Sequence, residues 1–342
     1  MQIELESENQ QKNDLRLQQI KAWVESDLEI SHFKIETASA DASFRRYFRL
    51  NVSGTNESSF IIMDAPPEKE DCLPFVKVAT LLESAGVHAP HIYDFNQAQG
   101  FMRLSDLGST AYLDKLDENS VDALYAYAIK TIVKMQTITG DLPAYDHTLL
   151  LTEMSLFKDW FLLKHLQLNL NESQNNMLAH VFQMLAESAL QQTTVFVHRD
   201  FHSRNLMLTP EQNPGVIDFQ DAVNGPASYD LVSLIKDCYI SWPRIKQLQW
   251  IDEYIEQSPL NIVKRDFIKQ VDLMGMQRHL KAIGIFARLN YRDGKSGYMN
   301  DIPRTLAYVI DVCNRYSELS EFSAFIHSLN IDVDQSLLER IK

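Results

Sequence analysis

The sequence predicts an α+β protein with a small β-rich lobe followed by a larger, mainly helical one. Three observations carry this expectation. Short β-like runs crowd the first third of the chain: "RRYFRLNV" (45–52), "SSFIIMD" (58–64), "APHIYDF" (89–95) and "GFMRLSDLG" (100–108). From Ser120 onward, long stretches place their apolar residues at helical spacing. The change falls near 105–112, which sets one lobe at residues 1–106 and the other at 107–342.

Taken in order, an amphipathic helix is expected from about Asn9 to Trp23. The runs at 45–52 and 58–64 are joined by "SGTNE", a hairpin turn, and "DAPPEKED" is a loop. "CLPFVKVATLLESAG" (72–86) has helical spacing and stops at Gly86, a natural C-terminal cap. Helical patterns then cover 121–138, 152–168 and 173–191, interrupted by the "GDLPAYD" loop. Strand-like "TTVFV", "NLMLT" and "GVID" follow, and further helices are expected over 229–240, 244–257, 264–289 and 302–326.

The chain of 342 residues, 45% hydrophobic and 23% charged, is long enough for two lobes and a sizeable core. Its net charge of −14 argues against a nucleic-acid partner, whose phosphates would be repelled. No apolar run is long enough for a membrane span. The polar N-terminal stretch reads as neither a signal nor a transit peptide. Cys72, Cys238 and Cys313 are widely separated, have no metal spacing and suit a reducing cytoplasm. No repeat, low-complexity segment or obligate protein partner is evident.

The informative stretch is "VFVHRDFHSRNLML" (195–208), a polar island between two apolar runs. A solvated turn tolerates this composition but does not require its order. A zinc site would use His198 and His202, four apart, yet Arg199 stands where zinc helices carry Glu, and the preceding residues are strand-like. The order H-R-D-x-x-x-x-N, filled by His198, Arg199, Asp200 and Asn205, matches the catalytic loop that kinases use for phosphoryl transfer. That chemistry calls for a second acidic metal ligand on a following strand end, and "GVIDFQDA" supplies Asp218. Asp200 is the candidate catalytic base, with Asn205 and Asp218 the ligands for Mg²⁺, which favours oxygen donors and keeps several waters. Each residue singly has a plainer explanation, as a surface acid or a turn former; their joint spacing has none.

With its trailing "VIDFQDAVNGPASYDL", this segment resembles the aminoglycoside phosphotransferase and choline kinase superfamily, relatives of the protein kinases. The resemblance implies a protein-kinase-like bilobal fold and ATP as phosphoryl donor. It also implies that Asp230 buttresses the catalytic loop alongside His198 and Arg199. Two family parts are missing. No glycine-rich phosphate loop exists, since the first glycine is Gly54, and Met63 and Asp64 stand where a phosphate-binding lysine would be sought. "ASADASFRRYFRL" (38–50) reads either as the substitute, its small residues, Ser43 among them, letting backbone amides approach phosphates while Arg45, Arg46 and Arg49 supply charge, or as a hairpin with a solvated basic edge. On a strand Arg45, Tyr47 and Arg49 share one face, and Arg46, Phe48 and Leu50 the other.

These departures, together with "MDAPPEKED" and "QRHLKAIGIFARLNYRDGK" (277–295), resemble the anomeric N-acetylmuramate/N-acetylglucosamine kinases of cell-wall recycling. That resemblance implies transfer to the C1 hydroxyl of an amino sugar. A lactyl carboxylate on the acceptor calls for cationic donors, and Arg278 and His279 are the candidates. The same helix reads equally as a packed helix with a basic solvated face. Kinases for aminoglycosides, choline or another small alcohol stay open, as does a non-catalytic nucleotide-binding pseudokinase.

Overall fold

The computed structural model describes residues 15–40, 44–53 and 59–341. The described residues form two compact units. The first takes those up to Thr80 together with Ala89–Gly108, and the second takes Leu81–His88 and those from Ser109 on.

The first unit is a five-stranded antiparallel sheet of order β1-β2-β3-β5-β4. Its strands are β1 (Phe33–Ala40), β2 (Arg46–Val52), β3 (Ser59–Asp64), β4 (Ile92–Asn96) and β5 (Phe101–Ser105). A helix whose described part is 15–26 (α1) buries Ile20, Trp23 and Val24 against Phe48, Leu50, Phe60, Ile62 and Phe101. Period-2 alternation explains the choice of strand residues: Phe48 and Leu50 point to one face of β2, and Arg46 lies on that same helix-covered face. β1 was not expected from sequence; it is a partly exposed edge strand with little apolar patterning. The substitute phosphate loop thus begins as the end of β1 and continues into β2, while Ser43 and most of "SGTNE" lie outside the described residues.

Helix α2 (Leu73–Ser84) ends where Gly86 adopts a left-handed φ of 69°, the conformation that makes glycine a natural cap. In the second unit, the Gly86 carbonyl accepts from Lys134 Nζ at 2.5 Å, on α3 (Val121–Met135). Next come α4 (His147–Leu156), a π-helix over Phe157–His165 and α5 (Glu172–Leu190). Two short antiparallel pairs follow, β6 (Thr194–Val197) with β9 (Val223–Pro226), and β7 (Leu206–Met207) with β8 (Gly215–Val216). The chain closes with α6 (Tyr229–Ile235), α7 (Arg244–Gln257), α8 (Lys264–Asp293), α9 (Ile302–Arg315), α10 (Ser320–Ser328) and α11 (Gln335–Ile341).

Helix α8 organises this unit, packing against α4, α5, α6, α7, α9 and the π-helix. Its middle is buried on nearly every side, as an apolar helix enclosed by others should be. The single helix expected over 302–326 is instead two. Tyr316 is extended (φ −124°, ψ 113°) and its hydroxyl donates to Asp272 Oδ2 at 2.9 Å. The apolar spacing runs on through this break, so periodicity alone does not mark it.

The approach of α8 to the π-helix is set by Gly284. A Cβ there would lie 2.3 Å from the Leu156 carbonyl carbon and 2.5 Å from the Phe157 nitrogen. Both are backbone atoms that cannot turn aside. Gly284→Ala is therefore expected to destabilise the protein by about 1–3 kcal/mol despite alanine's better helix propensity, read as a lower denaturant midpoint.

Candidate active site

The polar island is a tight loop between β6 and β7, and its conformation is held by carboxylates from the segment that follows. Asp230, in the first turn of α6, accepts from the His198 backbone nitrogen at 2.7 Å and the Arg199 nitrogen at 3.1 Å. Asp237 accepts from the Ser203 nitrogen at 3.0 Å and its hydroxyl at 2.5 Å. The loop is thus braced at both ends by buried acids seven residues apart. Burial pushes the Asp230 carboxyl up to about 7 against the pull of its two backbone donors and Arg278.

Arg199 (φ 77°) and Asp218 (φ 64°) both occupy the left-handed region. Such non-glycine strain costs on the order of 1–3 kcal/mol and collects where a side chain must be aimed. His198 is buried, and its Nδ1 accepts from the Asp200 nitrogen at 3.2 Å. Burial pulls its pKa down to about 4, so the ring stays neutral.

The expected acidic set is brought together. Asn205 Nδ2 donates to the Asp200 carbonyl at 3.0 Å and to Asp218 Oδ2 at 3.2 Å. Gln220 Nε2 donates to Asp218 Oδ1 at 2.9 Å. An amide and a carboxylate side by side form a hard-oxygen set that fits Mg²⁺, with its remaining positions left to water and phosphate. Among the described residues no group of three or more His, Cys, Asp or Glu side chains is placed to hold a metal. With His198 Nδ1 turned to Asp200, the zinc pairing of His198 with His202 finds no support.

Asp200 opens on a cavity of about 130 Å³, lined also by His202, Asp237, Tyr239, Arg278 and Lys281. Burial would raise the Asp200 carboxyl, yet Lys281, then His202 and Arg199, hold it below the usual carboxylate range. A roomier hollow of about 780 Å³, beside α3 and the 211–214 turn, contains none of the motif residues.

The wall that α8 gives the cavity consists of residues 278, 281, 282, 285 and 286, the i, i+3, i+4, i+7, i+8 set of one helix face. This corrects the expectation for His279. One residue on from Arg278 it points about 100° away, stacks on Tyr308 with ring centroids 4.7 Å apart, and makes a 2.9 Å bond from Nε2 to the Lys236 carbonyl. Burial lowers its pKa to about 3. Below pH 6.5 the unfolded chain protonates this imidazole and the folded one does not. Stability is therefore expected to fall by up to about 1.4 kcal/mol per pH unit, with buried His198 adding its own share. His279→Gln should flatten the loss of urea midpoint between pH 6.5 and 4 without changing the KM for any acceptor.

The three arginines among the nucleotide candidates, Arg45, Arg46 and Arg49, each have an acidic partner. Arg45 Nη2 donates to Glu70 at 3.0 Å. Arg49 Nε donates to Asp106 Oδ2 at 2.6 Å, and the Ser59 hydroxyl shares that carboxylate. Arg46 is a second correction. Together with Arg16 it grips the fully buried Asp64, and its guanidinium lies over Phe48, on the face covered by α1. Asp64, which stands where a phosphate-binding lysine was sought, is thus an anchor inside the first unit.

Reading the sequence missed Asp237 and Glu153. Glu153 lies on α4, buried, and ion-pairs with both Arg199 and Lys281. A lone acid within the apolar run "LLLTEMSLF" was the available signal.

Kinship is decided by a family model described as "Phosphotransferase enzyme family", which matches residues 34–260. The chain belongs to this family. A Pseudomonas putida protein named N-acetylmuramate/N-acetylglucosamine kinase is 43% identical over 335 residues, covering 93% of this chain and 98% of its own. A Neisseria meningitidis protein of the same name is 40% identical over 321 residues, covering 91% and 95%. Among solved structures, ADP-bound aminoglycoside phosphotransferase APH(2'')-Ib matches with a TM-score of 0.58 at 17% identity, over 86% of this chain and 98% of its own. Choline kinase LicA from Streptococcus pneumoniae matches at 0.61 and 13% identity, over 85% and 98%. The fold of this phosphotransferase is protein-kinase-like, and the protein is a small-molecule kinase. No helix among its described residues is long and apolar enough to cross a membrane.

Proposed function

We propose that this kinase transfers the γ-phosphoryl group of ATP to the anomeric C1 hydroxyl of N-acetylmuramate, N-acetylglucosamine or both, in the cytoplasm, as a step of peptidoglycan recycling. The observation that carries the chemistry is Asp200, facing a small cavity with Arg278 and Lys281 on its wall and Asn205 and Asp218 adjoining. The acceptor follows from the names of the relatives at 43% and 40% identity.

In this reading the acceptor oxygen attacks the γ-phosphorus, the bond to the β–γ bridging oxygen breaks, and ADP departs. Asp200 orients the hydroxyl and takes its proton as the new P–O bond forms. Asn205 and Asp218 would hold Mg²⁺, which supplies positive charge to the phosphate oxygens. Asp230, acting with the His198 and Arg199 backbone, keeps the Asp200 turn in place. Arg278 offers a planar fork suited to the lactyl carboxylate of N-acetylmuramate. For the nucleotide's phosphates Ser43, Arg45 and Arg49 are assigned, with Arg46 left to Asp64.

The test is ³¹P NMR of the purified protein with Mg·ATP and N-acetylmuramate, N-acetylglucosamine, choline or an aminoglycoside. The expected result is a sugar-phosphate signal coupled to the anomeric proton. Transfer to choline or the aminoglycoside alone would discard the amino-sugar reading and keep the kinase. Nucleotide binding without transfer to any acceptor would favour a pseudokinase.

A further inference from the structure

Glu153, Arg199, Lys281 and Asp200 cluster at the catalytic loop, and only Asp200 among them was anticipated as a catalytic group. Glu153 Oε1 accepts from Arg199 Nη2 at 2.5 Å and from Lys281 Nζ at 2.9 Å. Its Oε2 accepts from the Tyr145 hydroxyl and, at 3.3 Å, from Gln277 Nε2. Lys281 Nζ also donates to the Tyr229 hydroxyl at 3.2 Å, and Tyr229 meets Tyr145 edge to face at 5.3 Å. A single buried carboxylate therefore joins three separate pieces: α4, the strained Arg199 turn, and the α8 wall of the cavity on which Asp200 opens.

Formal charge explains why the acid is needed. Arg199, Lys281 and Arg278 bring three positive charges to this site; Glu153 pairs directly with the first two, and Asp200 and Asp230 are the other acids beside them. With Glu153 present, Arg199 and Lys281 have a carboxylate of their own, and Asp200 stays available to an acceptor. Without it, Asp200 becomes the counter-ion of both and is drawn onto Lys281. Interactions among buried charges are screened far less than at the surface, so this imbalance is not shared out to solvent.

We propose that Glu153 is a positioning residue for phosphoryl transfer, holding Arg199 and Lys281 so that Asp200 points at the acceptor and not at the cavity wall. The proposal rests on the kinase reading above. It assigns Glu153 no contact with substrate; its effect is exerted through the two cations it holds.

The experiment measures kcat and acceptor KM for the full chain and three variants, with the acceptor found active by ³¹P NMR. Glu153→Gln is expected to lower kcat by about 100-fold, the scale of an ångström's misplacement of a reacting group, with acceptor KM within about threefold of the parent. Adding Lys281→Met restores charge balance, so the double variant Glu153→Gln/Lys281→Met is expected to exceed the single Gln variant in kcat by about tenfold. A residue that merely fills space would give a double variant no better than the single. Should Glu153→Gln fail to fold, Glu153→Asp carries the test: it keeps the charge but is too short to reach both cations, and kcat falls about tenfold. Parental kcat in the Gln or Asp variant, or no recovery in the double variant, overturns the proposal. If the parent protein itself transfers phosphate to no acceptor, the kinase reading fails and the inference fails with it.

Discussion

Asp200→Ala is expected to lower kcat by about 10²–10⁴-fold, the usual contribution of a positioned general base, while Mg·ATP continues to bind. The separation of the two effects follows from which atoms the site uses. Asn205 is held by the Asp200 main-chain carbonyl, which alanine retains, and by Asp218, which the change does not touch. Asp218→Ala should do the reverse, weakening metal–nucleotide binding first, because it removes the carboxylate of the pair. Asp200→Asn serves as the shape-matched control, keeping the side-chain volume in the cavity. Turnover from ADP release and nucleotide affinity from calorimetry are the paired readouts. An Asp200→Ala enzyme running at the parental rate would remove the catalytic base from the mechanism.

The largest stability effect is expected not at the motif residues but at Asp272 on α8. This fully buried carboxylate accepts from Lys236 Nζ at 2.6 Å, from Arg244 at 2.7 and 2.8 Å, and from the Tyr316 hydroxyl at 2.9 Å. Removing it leaves two cations in the interior with no counter-charge, so Asp272→Ala should cost about 3–5 kcal/mol. Although burial opposes it, Lys236 and Arg244 hold the Asp272 carboxyl at about 2, below its ordinary value of 3.8. The stabilisation is therefore complete above pH 3.8 and is lost as pH falls through 2. Integrated over that interval it amounts to about 2–3 kcal/mol. Burial also pulls the Lys236 ammonium down, so the clamp as a whole contributes less than Asp272 alone suggests. Acid and urea titrations of the two proteins check both figures; an unchanged midpoint in Asp272→Ala would show that the cations find other partners.

What was legible in the sequence was local. His198 to Asn205, Asp218 and Asp230 lie within 33 residues, so a linear pattern captures both their spacing and their chemistry. The same is true of Gly86, whose cap was expected and is present. Glu153 shows in the sequence only as a lone acid in an apolar run; its partners lie 46 and 128 residues further on, and nothing in α4 announces them. His279 was misassigned although a local rule was at hand: with Arg278 on the cavity wall, helical geometry turns residue 279 toward Tyr308. β1 escaped because only Phe33 and Ile35 of this edge strand pack on the core, an alternation too short to stand out. Alternation puts Arg46 on the face of β2 that carries Phe48 and Leu50; that this face meets α1 is a tertiary fact.

With the cavity beside Asp200 taken as the acceptor site, as proposed, helix α8 bears on how the acceptor is chosen. It is clamped at Asp272, pinned by His279 to the Lys236 carbonyl, tied by Lys281 to Glu153, and held at a fixed distance by Gly284. Sliding it by a single residue would shift it about 1.5 Å and break all four attachments together. The cavity wall thus behaves as a rigid gauge and not as a jaw that closes on whatever enters. New acceptors should come by re-cutting the gauge at residues 278, 282 and 285, whose side chains face inward, while the frame behind it is left alone.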